Sequence, residues 1–345
     1  MVSSKLKVGI AGFGVVGKRR RLFIDQHPDL ATVAVSDISF EKNGIADDGV
    51  HFFPDFKSLY SQDIDILFVS LPNHLAAQAT ISGIEHGFHV FCEKPPGKTV
   101  EDIRRVIEAE KHHPQIKLKY GFNHRYHASV IEAKRIIDSG KYGKVINIRG
   151  IYGKSSVIPF SGGWRSERKY AGGGILLDQG IHMLDMILFF AGDFEEVKSF
   201  VSNDYWNHDV EDNAYAIMRN RSGCVAMIHS TATQWQHRFR LEVTLEDALL
   251  ELTGILSGSK SYGEEKLRFV PKKDGSIVGS FTEETTAYLE DNSWRDEVSE
   301  FASAIVNDNP IESGTSTDAL RVMELVYKIY CADSQWQQQF NISHP

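Results

Sequence analysis

Two polar side chains, Asp178 and His182, stand four residues apart in an otherwise apolar run that follows Gly172-Gly173-Gly174. If that run is helical, the spacing puts both on one face, which Asp185 and Phe189 continue. Histidine is the side chain best suited to exchanging a proton at neutral pH, and a carboxylate one turn away can orient it or hold a substrate hydroxyl. The same residues allow a plainer reading, in which Asp178 caps a helix start loosened by the glycines and His182 is a satisfied core histidine. What surrounds such a pair must decide, so the elements that would deliver a substrate and a cofactor come next.

Leu6-Lys7-Val8-Gly9-Ile10 reads as a short strand that opens into Gly12-Phe13-Gly14-Val15-Val16-Gly17. Glycines at these positions allow a tight turn, let the backbone approach a pyrophosphate and let the next helix pack closely, its N-terminus facing the phosphates. A second apolar run, Thr32-Val33-Ala34-Val35, leads to Asp37, twenty residues after Gly17, where an acidic side chain binds ribose hydroxyls. Asp37 would repel a 2′-phosphate and Ile38-Ser39-Phe40 offer no arginine to neutralise one, which favours NAD; Lys42 keeps NADP open. The basic block Lys18-Arg19-Arg20-Arg21 reads as a solvated helix face, with proximity to a phosphate as the alternative.

Ile64 to Val69 reads as a buried strand and His74 to His86 as the helix after it, so the sheet is expected to be parallel. Ser70-Leu71-Pro72-Asn73-His74 then lies at the carboxyl edge where cofactors bind, or else is a turn with Asn73 as helix cap. His89-Val90-Phe91-Cys92 runs into Glu93-Lys94-Pro95-Pro96, and the prolines restrict Lys94, so its amine is aimed. Cys92 reads as a buried structural thiol, and a catalytic cysteine there is the weaker idea. Val100 to Glu110 (helix) and Ile116 to Tyr120 (strand) complete a dinucleotide-binding domain over 1–120.

These motifs, with Gly121-Phe122-Asn123-His124-Arg125 and the Asp178-to-His182 stretch, resemble in order and spacing the Gfo/Idh/MocA family of oxidoreductases over most of residues 5–190. That family includes glucose-fructose oxidoreductase and inositol 2-dehydrogenase. The resemblance implies that Lys94, Asp178 and His182 form the catalytic group. It also implies that Trp164 and Arg165 lie near cofactor and substrate; packing under a surface loop with a salt-bridged arginine is the alternative.

Residues 121–345 read as an α+β domain: Ala128 to Ser139 as a helix, Lys144 to Tyr152 as a strand, and runs between Glu196 and Val270 as an open, mostly antiparallel sheet. Trp294 to Ile305 and Asp318 to Tyr330 return to helical spacing, as helices that could pack back on the first domain. The fold class is therefore α/β, a doubly wound Rossmann domain followed by this sheet domain. One face of such a sheet often takes a second subunit, which suggests a homodimer or homotetramer.

A net charge of -8 without a long basic run argues against nucleic acid or an anionic membrane as partner. No apolar stretch reads as membrane-spanning, and three scattered cysteines with neither a pairing pattern nor metal-ligand spacing fit a reducing compartment, so a cytoplasmic protein is expected. The expected chemistry is hydride transfer between NAD and a secondary alcohol or ketone of a small polyhydroxylated substrate: a sugar, cyclitol or sugar derivative. His182 is the first choice of base, with Lys94 on the same oxygen and an exchange of their roles left open. Asp178 positions a neighbouring hydroxyl. Asn123, Arg125, Tyr126, Tyr152, Trp164 and Arg165 complete the pocket; the first, with Trp164, Arg165, Glu93 and Lys94, also borders the cofactor. Arg125 and Arg165 hint at an anionic substituent, or else bind the cofactor or a protein carboxylate. Loops 153–171 and 255–290 are expected to set recognition. A glycosidase that oxidises its sugar transiently with NAD, and a non-catalytic NAD-binding sugar sensor, are the other classes.

Overall fold

The structure, a computed structural model, describes residues 5–157, 163–257, 261–272 and 282–345. The chain forms two units, one of residues 1–122, 169–172 and 294–320 and the other of residues 123–168, 173–293 and 321–345. A single cut near Gly121 is therefore too simple, because the chain passes between the units again at Lys169, Gly173, Trp294 and Arg321.

The first unit is built on a seven-stranded sheet in the order β3-β4-β2-β1-β5-β6-β7. Its strands are β1 (Leu6–Ala11), β2 (Leu30–Ser36), β3 (Gly44–Ile45), β4 (His51–Phe53), β5 (Ile66–Val69), β6 (His89–Glu93) and β7 (Leu118–Gly121). All neighbours pair in parallel except β3 with β4. Ile66, Leu67, Phe68 and Val69 are all buried, as expected of a central parallel strand covered on both faces. Helices α1 (Val15–Gln26), α2 (Asn73–Glu85) and α3 (Val100–His112) connect the strands. α3 starts at a reciprocal capping box between Thr99 and Asp102. From the C-terminal part of the chain, Val298, Phe301 and Ala302 enter this unit's core, where Phe301 stands edge-on to Phe68 and Phe91 at 6.0 and 5.6 Å. Strand order reverses at β1, with β2 on one side and β5 on the other, and a crevice at the carboxyl ends of such strands is where open α/β sheets bind ligands.

The second unit carries an eight-stranded sheet in the order β15-β14-β13-β12-β8-β11-β10-β9. The strands are β8 (Val145–Ser155), β9 (Glu196–Ser202), β10 (Asn213–Arg219), β11 (Val225–Gln234), β12 (Arg238–Leu245), β13 (Ala248–Thr253), β14 (Glu265–Pro271) and β15 (Glu284–Tyr288). Every pairing is antiparallel except β8 with β11. β14 and β15 occupy much of the stretch expected to be a recognition loop; residues 258–260, 273–281 and, in the other expected loop, 158–162 lie outside the described residues. Helix α4 (Ala128–Asp138) precedes β8, and α6 (Ile181–Ala191) follows the glycine-rich stretch; the short helix α5 (Arg168–Ala171), apart from Arg168, belongs to the first unit. Against the sequence expectation, the helical run Arg168–Ala191 is long and apolar enough to cross a membrane, but 78% of its apolar window is buried inside the protein. α6 is apolar nearly all round because it is a core helix.

Candidate active site

In the first unit the end of β1 and the start of α1 form the expected cradle. Gly12 has φ +89°, and a Cβ on it would lie 2.4 Å from the Ser70 carbonyl oxygen at the end of β5. A Cβ on Gly17 would lie 2.0 Å from the Gly12 carbonyl, so helix and turn meet backbone to backbone. Gly14 is different: it is exposed, and among the described residues nothing lies within 4 Å of where its Cβ would stand. Space beside the second glycine, at a helix N-terminus, is what a pyrophosphate requires, so the residues fit a dinucleotide. Asp37 at the end of β2 accepts the Phe13 N–H at 2.9 Å and the Ser39 N–H at 3.0 Å. Partial burial opposes its ionisation, but those N–H groups and the nearby Lys18 outweigh it and hold the carboxyl below its usual range.

Leu71 and Pro72 are half-buried beyond β5. Asn73 is not a helix cap: it is the first residue of α2, buried, and its Nδ2 donates to the Ala171 carbonyl at 2.7 Å. His74 is exposed, its ring 4.9 Å from that of Tyr170.

At the end of β6 the half-buried Lys94 precedes a cis peptide bond to Pro95. Glu93 beside it accepts from Nε of Arg20, and Arg20 Nη2 donates to Glu297 at 2.6 Å. The Arg20 guanidinium also lies 4.4 Å from the Phe91 ring and 4.2 Å from the Trp294 ring. Arg20 is fully buried, which corrects the reading of Lys18–Arg21 as a solvated face. Its partners are 73 and 277 residues away, so no local pattern announces it. Glu93 therefore spends its carboxylate on holding the strand end. Burial, opposed by Arg20, pushes the Glu297 carboxyl up to about 7. Burial also pushes the Cys92 thiol up to about 12, which removes it as a nucleophile at neutral pH.

In the second unit the glycines pack tightly against a carboxylate; they do not loosen a helix start. Glu211, fully buried just before β10, accepts the Gly174 N–H at 2.7 Å, the Leu176 N–H at 3.0 Å and the Tyr330 hydroxyl at 2.6 Å. A Cβ on Gly174 would stand 2.1 Å from the Glu211 carbonyl oxygen. The helix start is thus capped from 37 residues away, and Asp178 is not the cap. Leu176–Gly180 forms a π-helical turn before α6, a local widening often found at functional sites. Asp178 is half-buried on that turn, and His182 is buried in the first turn of α6.

His182 stacks on His124, with ring centroids 3.7 Å apart and planes 15° from parallel. His124 lies in the short 3-10 turn Asn123–Tyr126, where sequence reasoning gave it no role. Its Nε2 is 3.0 Å from the Tyr152 hydroxyl, and the Tyr152 ring meets that of Tyr262 edge-on at 5.2 Å. Gln179 Nε2 donates to the Tyr262 hydroxyl. Burial pushes the Tyr262 phenol up to about 12 and the Tyr152 phenol higher still, so neither is a base at neutral pH. Tyr126, on the same turn as His124, is half-buried.

Arg125 does not await an anion. It grips Asp185 in a bidentate pair, Nε to Oδ2 at 2.8 Å and Nη2 to Oδ1 at 2.6 Å, and its guanidinium lies 4.9 Å from the Phe189 ring. Arg165 is exposed, 3.7 Å from the Asp178 carboxylate and 4.2 Å from the Trp164 ring. Asn123 lends its side-chain oxygen to His124 Nδ1 at 3.2 Å and its amide nitrogen to the Ser293 hydroxyl at 3.2 Å. Within the second unit, then, Asn123, Tyr152, Asp178 and His182 belong to one cluster, while Arg125 is committed to Asp185.

Residues 6–122 match the model of an oxidoreductase family with an NAD-binding Rossmann fold, and residues 130–251 match the GFO/IDH/MocA C-terminal domain. Levoglucosan dehydrogenase of Pseudarthrobacter phenanthrenivorans is 29% identical over 220 residues, which cover 57% of this chain and 54% of that protein. The 1,5-anhydro-D-fructose reductase of Ensifer adhaerens is 34% identical over 175 residues, 50% of this chain and 51% of the relative. In both alignments the chain spans about half the length of the relative. Inositol 2-dehydrogenase of Salmonella typhimurium is 26% identical over 263 residues, 74% of this chain and 76% of the relative. The solved structure of levoglucosan dehydrogenase with NADH and L-sorbose has the same fold, with a TM-score of 0.84 at 21% identity over 96% of this chain and 98% of that one.

Proposed function

This chain belongs to the Gfo/Idh/MocA family of oxidoreductases, and we propose that it interconverts a secondary alcohol and a ketone of a sugar, cyclitol or sugar derivative, with NAD as cofactor. What supports the reading is the presence in one chain of a dinucleotide cradle in the first unit, with Gly14 open and Asp37 ionised beside it, and, in the second unit, of a buried histidine and a half-buried carboxylate on a glycine-led helix. Bound NAD supplies the hydride acceptor. His182 takes the hydroxyl proton of the alcohol as the C–H bond breaks, and returns it when the ketone is reduced. Lys94 donates a hydrogen bond to the same oxygen and stabilises its developing negative charge. Asp178 accepts a hydrogen bond from a neighbouring hydroxyl. Trp164 and Tyr152 border the substrate, and Glu93 is a positioning residue that holds the strand end beside Lys94.

Arg125 is satisfied by Asp185, and Arg165 stands by Asp178, which favours an uncharged polyol over an anionic one. Levoglucosan, 1,5-anhydro-D-fructose and inositol, the compounds in the relatives' names, are uncharged rings bearing secondary hydroxyl or ketone groups. Those names are of dehydrogenases and a reductase, which disfavours a transient-redox glycosidase or a sensor. NAD is preferred over NADP because the Asp37 carboxylate would repel a 2′-phosphate.

All three cysteines, Cys92, Cys224 and Cys331, are free and buried, which supports a cytoplasmic location. In the second unit's sheet the solvent face carries Phe200 (80% exposed), Ile217 (56%) and Tyr215 (49%), which supports a homodimer or homotetramer covering that face. Sedimentation should then give two or four times the 38.8 kDa chain mass, and a monomer would refute this.

Replacing Lys94 with methionine tests the catalytic assignment. Turnover should fall about 10²–10⁴-fold while NADH binding, read by fluorescence, persists. Near-normal turnover would remove Lys94 from the mechanism.

A further inference from the structure

The ring that stacks on His182 is itself held by a chain of hydrogen bonds that runs in one direction. Ser293 Oγ is 2.6 Å from Asp291 Oδ1, and a carboxylate only accepts, so the single Ser293 hydroxyl hydrogen goes to Asp291. Ser293 Oγ must then accept from Asn123, which puts the Asn123 amide nitrogen on the serine at 3.2 Å and the amide oxygen on His124 Nδ1 at 3.2 Å. That oxygen has no hydrogen to give, so His124 Nδ1 carries the proton. Nε2 is left as the acceptor and takes the Tyr152 hydroxyl hydrogen at 3.0 Å. Amide orientation and tautomer, ordinarily free choices, are both fixed here by one carboxylate.

We propose that His124, locked by this chain as the neutral Nδ1–H tautomer, is the positioning residue that sets the ring plane of His182 and lets that ring take up a proton. The proposal rests on the reading of His182 as the base. Two imidazolium rings 3.7 Å apart would repel strongly, whereas a neutral ring offers its π-face to a neighbouring cation. Among the described residues, charged groups near the pair are themselves partnered. His127, edge-on to His124 at 5.4 Å, is bonded to Glu265 at 2.7 Å, Asp185 on the helix of His182 is neutralised by Arg125, and Asp178 stands by Arg165. The Tyr152 hydrogen is thereby committed to His124, and its oxygen acts as an acceptor, as it does towards the Gln179 amide.

The test is side-chain ¹⁵N spectroscopy of the histidines in the NAD-loaded protein from pH 5 to 8, joined to kinetics of His124→Phe and His182→Asn. Expected is a His124 signal with the proton on Nδ1 and no titration across the range. His124→Phe, which keeps a flat ring but not the acceptor, should lower kcat about tenfold, the equivalent of roughly one oriented hydrogen bond, with KM within about twofold and a displaced acid limb of the kcat profile. A His124 ring that carries its proton on Nε2, or that becomes charged within this range, overturns the proposal whatever the activity. So does a His124→Phe profile that coincides with the wild type. Full turnover in His182→Asn would instead overturn the assignment of the base and the functional half of the proposal with it, while the tautomer measurement still judges the chain.

Discussion

Glu297→Gln isolates what a second buried carboxylate does to the core of the first unit. The Glu297 carboxyl is fully buried, and Arg20, which bonds it at 2.6 Å, is shared with Glu93. Burial lifts its pKa from 4.5 to about 7. Between those values the folded protein keeps a proton that the unfolded chain has released. Stability from this group is therefore greatest below pH 4.5 and is lost as the pH rises through about 7. A gap of that size corresponds to about 3 kcal/mol. Glutamine keeps an acceptor oxygen for Arg20 and cannot ionise, so the variant should lack the loss. Urea unfolding followed by tryptophan fluorescence at pH 5 and pH 8 reads the difference directly, since Trp294 packs 4.2 Å from the Arg20 guanidinium. Because pH 5 already lies above 4.5, the variant should gain on the wild type by about 2.5 kcal/mol between the two pH values. An unchanged difference, or a wild type that gains on the variant, would show that Arg20 keeps Glu297 ionised and that the reasoning about its burial is wrong.

Asp37→Ala should weaken NAD binding about tenfold and narrow the preference over NADP, both measurable by titration; unaltered selectivity would count against Asp37 as the ribose ligand. Asp185→Ala strips Arg125 of its bidentate carboxylate in the core of the second unit and should cost about 3–5 kcal/mol in denaturant unfolding, whereas a loss below about 1 kcal/mol would place Arg125 in solvent or on another anion.

The sequence makes legible whatever is local. Gly12, Gly14, Gly17 and Asp37 sit at fixed offsets from a strand and a helix: Gly12 makes the tight turn, Gly17 lets the helix pack on it, and Asp37 ends β2 on the Phe13 N–H. The alternation of β10, with Ala214, Ala216 and Met218 inward and Tyr215, Ile217 and Arg219 outward, likewise follows from a period of two. Long-range partners were not legible. Arg20 looked like one member of a basic block because Glu93 and Glu297 are far away in the chain, and capping stayed open as the alternative for Asp178 because Glu211 is distant too. Arg125 showed a charge but not the buried carboxylate that takes it. The parallel pairing of β8 with β11 in an otherwise antiparallel sheet leaves no mark on either strand's pattern, since both alternate alike. His124 was within sight: it lies in a motif already singled out, and its Nε2 partner Tyr152 had been picked for the pocket, but only the fold stacks it on His182.

Hydride transfer to NAD from a secondary alcohol of an uncharged polyol is read by reduced-nicotinamide absorbance. The purified protein is mixed with NAD or NADP and with panels of anhydro sugars, glycosides and cyclitols, and the reverse is run with NADH and the matching ketones. Reduced cofactor should form with at least one of these compound classes, faster with NAD than with NADP, and should not form in Lys94→Met. Tight NAD binding with no absorbance change in either direction for any class would contradict hydride transfer to NAD.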